Sequence, residues 1–187
     1  MKTDIVLQNF VKDNKIFIYG DFDESIAINV LPELLNILNV QVSNKKGLIK
    51  FYINSNGGET SYLYNLLAII ERAKVEGVTI ETFVFGNAFS CGSLLASAGT
   101  KGSRYISDTA RYFCHIGNGS GYTPTTKEQV DRIGKYNKAH FDTIYRLYEK
   151  YANIKELRKA MTDNMYFITG KDIIKNGLAD KMYDKVV

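Results

Sequence analysis

Tryptophan is absent from this 187-residue chain, and proline and cysteine occur only twice each. So little proline leaves no Pro-rich linker, and the length suits one domain with its own core, so a single domain over residues 1–187 is expected. Cys91 and Cys114 have neither CxxC spacing nor histidines at zinc-finger distance, which argues against a metal site. So few thiols also fit a reducing compartment. No window approaches the roughly 20 apolar residues of a membrane span. Met1 to Phe10 lacks the apolar stretch of a signal peptide. No arginine-rich stripe or aromatic-interleaved basic motif occurs, so the net charge of +4 reads as solvated surface rather than a nucleic-acid footprint. These absences predict a soluble, cytoplasmic protein without metal, cofactor, nucleic-acid partner or membrane anchor.

The residues present alternate between two periodicities. Lys15 to Tyr19, Leu48 to Ile53 and Val78 to Phe85 are short runs rich in β-branched and aromatic residues, read as strands; the second has the apolar character of a buried one. Between them, Ile26, Val30, Leu34, Leu35 and Ile37, and then Leu63, Leu66, Leu67 and Ile70, recur at helical spacing. Ser93 to Ser97 reads as a short buried helix, and Arg104 to Ile106 and Arg111 to Cys114 as two more strands. Pro124, Thr125 and Thr126 cap the longest predicted helix, which runs to Ala152 with Val130, Ile133, Phe141, Ile144, Leu147, Tyr148 and Tyr151 as its apolar stripe. A helix over Lys155 to Met161, a capped helix within Thr169 to Asp180 ending at Gly177, and a last strand near Met182 to Val186 complete the expectation. Such alternation implies crossover units and a largely parallel α/β sheet.

Two glycine-rich turns follow two of the strands, at the end of an α/β sheet where ligand sites lie. Gly57 and Gly58 let a backbone amide approach a substrate oxygen unhindered by Cβ, or they form a tight turn only. Ser90 stands between a strand and a small-residue helix. There its hydroxyl meets the positive end of the helix dipole, and the Cys91 amide could serve the same oxyanion as Gly58. From position alone Ser90 reads as a helix N-cap rather than as a nucleophile. Ser93 and Ser97 would lie inside the helix, and Cys91 has the apolar surroundings of a buried thiol. His115, opening the flexible Ile116 to Gly121 stretch, is the better base; His140, mid-helix, has the address of a packing histidine.

Six ordered motifs then resemble the ClpP family of self-compartmentalising serine peptidases, over nearly the whole chain. Phe17 to Asp21 resembles its first strand and turn, and Tyr52 to Gly58 its YINSPGG, with Asn56 in place of proline. Gly86 to Ser93 resembles GxAASMGS, Ala98 to Tyr105 resembles AGxKGKRY, and Ala110 to His115 resembles AR-x-M-I-H. Phe167 to Asp180 resembles FMSAEEAxxYGLID. The resemblance implies a ClpP/crotonase-like fold of repeated β-β-α units, with a long protruding helix used in ring assembly. It makes Ser90 the nucleophile, His115 the general base, and the Gly58 and Cys91 amides the oxyanion donors. Gly57, Gly117, Asn118 and Gly119 become contacts to an extended peptide. Asn56 is expected to loosen its turn slightly.

The family's third triad residue, an aspartate, aligns with Met165; Asp163 and Asn164 lie just upstream, and a small shift of the loop would bring either to His115, with Asp163 the preferred group. The implied activity is a serine endopeptidase acting on peptides or unfolded proteins in a homo-oligomeric, heptameric or stacked ring. An AAA+ unfoldase is the family's usual partner, although only residues 1–14 precede the first strand read here. Met165 motivates the alternative, a catalytically impaired subunit or assembly scaffold. Crotonase-type acyl-CoA chemistry would share the fold but leaves Ser90 and His115 without paired roles.

Overall fold

The structure, a computed structural model, describes residues 9–44, 47–119, 121–152 and 166–183. The helix expected over Lys155 to Met161, together with Asp163, Asn164 and Met165, lies outside the described residues.

Strands β1 (Phe10–Lys12) and β2 (Lys15–Ile18) lead through a π-helical turn, Ile26–Val30, into α1 (Leu31–Val42). Then come β3 (Leu48–Ser55), α2 (Thr60–Val75), β4 (Thr79–Phe89), α3 (Cys91–Ser97), β5 (Arg104–Ile106) and β6 (Arg111–Cys114). The long α4 (Lys127–Tyr151) is followed by β7 (Tyr166–Thr169), α5 (Lys171–Lys175) and β8 (Lys181–Met182). The described strands form one eight-stranded sheet in the order β1-β2-β3-β4-β5-β8, with β6 on the far end of β4 and β7 beyond it. Pairing is parallel except β1–β2 and β6–β7. This is the expected α/β architecture.

One face of the sheet carries Ile16, Ile18, Ile49, Phe51, Ile53, Ile80 and Val84, all buried and packed with Leu63, Leu66, Leu67 and Ile70 of α2 in one core. The other face of β3 is not the fully buried surface its apolar run suggested. Lys50 and Tyr52 are half-buried there, and Phe17, Tyr52, Phe83 and Tyr105 stack across neighbouring strands at 5.1, 5.0 and 4.9 Å. Such pairs add about 0.5–1.5 kcal/mol each beyond the area they bury.

Two registers aim the chain at one place. The β3–β4 ladder shifts between Ile53 and Ser55, with Ile53 opposite Val84 and Ser55 opposite Ala88, so the extra residues bulge from β4. β4 then leaves β5 and continues along β6, pairing Asn87 to Phe89 with Arg111 to Phe113. The ends of β3, β4 and β6, which carry the turns 56–58 and 90–91 and residue 115, therefore converge.

The tail differs from expectation. Tyr166–Thr169 is a strand, antiparallel to β6, and only Lys171–Lys175 is helical. Gly170, at φ +54°, separates them, and the aromatic and β-branched Tyr-Phe-Ile-Thr run prefers the ladder. At α4, Thr126 and Gln129 form a reciprocal capping box. Of its apolar stripe only Ile144 and Tyr148 are buried, while Val130 remains 53% exposed. No helix among the described residues is long and apolar enough to cross a membrane.

Candidate active site

Ser90 is held in a conformation that an L-residue adopts only under constraint, φ +53° and ψ −117°. Its N–H donates to Phe113 O at 2.7 Å, tying the turn to β6. Its side chain makes no cap hydrogen bond to α3. The Oγ stands instead 2.7 Å from His115 Nε2. The N-cap alternative is thereby set aside for this hydroxyl. Ser93 and Ser97, the competing serines, are fully enclosed within α3.

His115 follows β6 directly and stacks on Phe113, with ring centroids 4.8 Å apart. Phe113 stacks in turn on Phe167 of β7 at 4.5 Å. This rail fixes the plane of the imidazole. Burial disfavours its charged form and pushes its pKa down from the ordinary value, which favours the neutral, proton-accepting imidazole.

The glycine turn is built against Ser90. Gly57, at φ +103°, passes so close that a Cβ there would lie 2.7 Å from the Ser90 Cβ. At Gly58, φ +140°, a Cβ would meet both N and O of Phe22 at 2.6 Å. Phe22 straps the turn down, donating to Gly57 O at 2.7 Å and accepting from Glu59 N at 2.8 Å. The Gly57 N–H is already committed to Ser55 Oγ at 3.1 Å. Among the described residues, no backbone carbonyl accepts from the N–H of Gly58 or of Cys91. Cys91 opens α3, where an amide has no carbonyl four residues back. Asn56, in the same turn, accepts from Asn87 Nδ2 at 3.2 Å.

These groups share a cleft of about 680 Å³ lined by Ser90, His115, Gly58 and the sequence-predicted Gly117, Asn118 and Gly119. Gly57 lies behind it, against Ser90. Cys91 is no rival nucleophile: burial raises its thiol to about 11, and Sγ donates to Gly58 O at 3.2 Å. Asp163 lies outside the described residues, so the ladder is seen only as far as Cys114 opposite Tyr166, one residue short of His115. A larger hollow of about 890 Å³, lined by Arg104, Lys150, Tyr151 and Asp180, holds none of these groups.

Sequence reasoning missed the far wall of the cleft. His140 and Tyr136 of α4 line it, one helical turn apart, facing Glu59, Thr60 and Ser61. His140 Nδ1 lies 3.3 Å from Tyr64 OH, so this histidine belongs to the cleft as well as to packing. The i, i+4 spacing of Tyr136 and His140 was the available signal, but only the crossing of α4 over α2 gives it meaning.

A serine hydroxyl, an imidazole in contact with it and two neighbouring amides without a carbonyl partner are the parts of an acyl-transfer centre. The model of the Clp protease family matches residues 1–186, and the chain belongs to that family. It is 30% identical, over 96% of its own length and 85% of the relative, to the ATP-dependent Clp protease proteolytic subunit of Deinococcus radiodurans. It is 29% identical to proteolytic subunit 2 of Chlamydia abortus, over 95% of this chain and 83% of that one. The Streptococcus uberis subunit is 26% identical, with 96% and 89% covered.

Proposed function

We propose that the protein is a serine endopeptidase that cleaves extended peptides through a Ser90 acyl-enzyme. The observation that carries this reading is the 2.7 Å contact of Ser90 Oγ with Nε2 of the half-buried His115, beside two amides that no backbone carbonyl takes up. With its proton on Nδ1, His115 accepts the Ser90 hydroxyl proton at Nε2 while Oγ bonds to the scissile carbonyl carbon. The carbonyl oxygen becomes an oxyanion held by the Gly58 and Cys91 amides. The C–N bond then breaks as His115 returns the proton to the leaving amine, and water repeats the sequence on the acyl-enzyme. The Gly117–Asn118–Gly119 segment holds the substrate backbone in the cleft by strand addition, whereas Gly57, whose N–H and carbonyl are taken by Ser55 and Phe22, holds the turn rather than the substrate.

Asp163 orients His115 in this proposal. It stands three residues before Tyr166, the partner of Cys114, and three residues of chain span at most about 10 Å. As with its relatives, whose names describe subunits of an ATP-dependent protease, we propose assembly into a homo-oligomeric ring in the cytoplasm, with an unfoldase ATPase as partner.

A fluorophosphonate probe should label the wild-type protein, and Ser90→Ala should abolish labelling. Labelling that survives that substitution would overturn the assignment. The scaffold reading predicts no labelling of the parent protein; the intact serine–histidine contact argues against it.

A further inference from the structure

The Ser90 carbonyl accepts three hydrogen bonds: from Ser93 N at 3.0 Å, Leu94 N at 3.3 Å and Ser93 Oγ at 2.7 Å. The two amides are the ordinary first bonds of a helix. The hydroxyl bond is additional, and it has a source. Ser93 Oγ also lies 2.6 Å from the hydroxyl of Tyr148, on α4. A serine hydroxyl has one proton, and the carbonyl can only accept, so Ser93 donates to Ser90 and Tyr148 donates to Ser93. Ser93 and Tyr148 are both 0% exposed, so no water competes for either hydroxyl. Burial holds the Tyr148 phenol well above its ordinary titration range, so it remains a donor throughout the neutral region.

The Ser90 carbonyl and the Cys91 N–H are two ends of one planar trans peptide, and they point in opposite directions. Fixing the carbonyl fixes the N–H. The same peptide follows the strained φ and ψ of Ser90, a conformation that persists only where its surroundings over-determine it. We propose that Tyr148 is a positioning residue: through Ser93 it anchors the Ser90–Cys91 peptide from behind and so aims the Cys91 amide at the oxyanion. In this arrangement the seating of α4 controls the oxyanion hole, across a hydroxyl pair that never touches substrate. The inference rests on the serine-peptidase reading above.

The test is Tyr148→Phe, which keeps the ring and removes only the hydroxyl, with Ser93→Ala as a second variant should the first fold poorly. On a fluorogenic peptide, kcat should fall about tenfold with KM unchanged, since loss of a whole oxyanion donor costs about 100- to 1000-fold and misaiming costs less. A peptide aldehyde, whose adduct places an oxyanion in the hole, should bind about tenfold more weakly, while a ground-state product peptide binds as before. The double variant should be no worse than the more impaired single one, because both remove one relay. Wild-type kcat and aldehyde affinity in a well-folded Tyr148→Phe, or equal weakening of aldehyde and product peptide, would overturn the inference. If the parent protein itself neither turns over peptide nor takes the fluorophosphonate, it is the peptidase reading that has failed, and the relay falls with it.

Discussion

Ser90 sits at φ +53° because the β4–α3 turn, its bond to Phe113 O and the close approach of Gly57 leave it no other place. Strain of this kind costs about 1–3 kcal/mol and is relieved where no side chain is needed. Ser90→Gly should therefore melt at a higher temperature than Ser90→Ala, although both are inactive; calorimetry giving the reverse order would show that the turn is unstrained. At Gly58 the direction is opposite. Gly58→Ala drives a Cβ into the backbone of Phe22, at 2.6 Å, in a left-handed conformation. It should lower stability by about 2 kcal/mol or more and abolish labelling of Ser90, as denaturant unfolding and the fluorophosphonate would record. For His115, burial lowers the pKa, whereas a carboxylate at Nδ1 would raise it. The base works when neutral, so labelling rises as pH climbs through that pKa. In Asp163→Ala the midpoint of the acid limb should fall below 6.5 and below that of the parent. Equal midpoints would remove Asp163 from the site. A pKa lowered by folding also means that stability is present above the unfolded value and is lost as pH falls through the folded one.

Among the elements, those that place the site were legible because their signals are local. Gly57-Gly58 ends an apolar strand, and Ser90 opens a run of small residues, so both turns could be read from nearest neighbours. What depends on distant pairing was not legible. β1 was missed because its three residues gain strand character only by pairing with β2 across Asp13 and Asn14, where Asp13 adopts φ +55°. β7 was missed because nothing within Tyr166–Thr169 announces that β6 waits beside it, and only its last residue, Thr169, fell within the expected helix. The group that orients His115 was illegible for a different reason: the position that should supply it holds methionine. At this scale one ion pair stands out. Arg104 of β5, 4% exposed, meets Asp180 before β8 through Nη2 at 2.6 Å and Nε at 2.8 Å. Burial pushes the Asp180 carboxyl up, but the Arg104 guanidinium, with the Gly102 and Arg104 amides, outweighs it and holds the pKa below the usual range. Its contribution is thus present at neutral pH and lost as pH falls through the lowered value. Asp180→Ala leaves the buried guanidinium without its counter-charge, held only by the Ser97 and Tyr151 carbonyls, and should cost about 3–5 kcal/mol at pH 7, seen as a lower denaturant midpoint. A change below 1 kcal/mol would mean that Arg104 finds water or another partner.

For the molecule as a whole, the first turn of α4 carries an apolar residue that the described residues leave open, Val130, 53% exposed. In the proposed ring it meets another copy. Val130→Asp should shift sedimentation toward smaller species without disturbing the far-ultraviolet spectrum; an unchanged particle mass would place the assembly contacts elsewhere. The row of stacked rings on the open face of the sheet has its own consequence. With 13 tyrosines and no tryptophan in the chain, Tyr52, wedged between Phe17 and Phe83, sits in a fixed chiral setting that spans three strands. The sheet thus carries a built-in optical label: its near-ultraviolet dichroism should vanish when the strands lose their mutual alignment, even while helices persist.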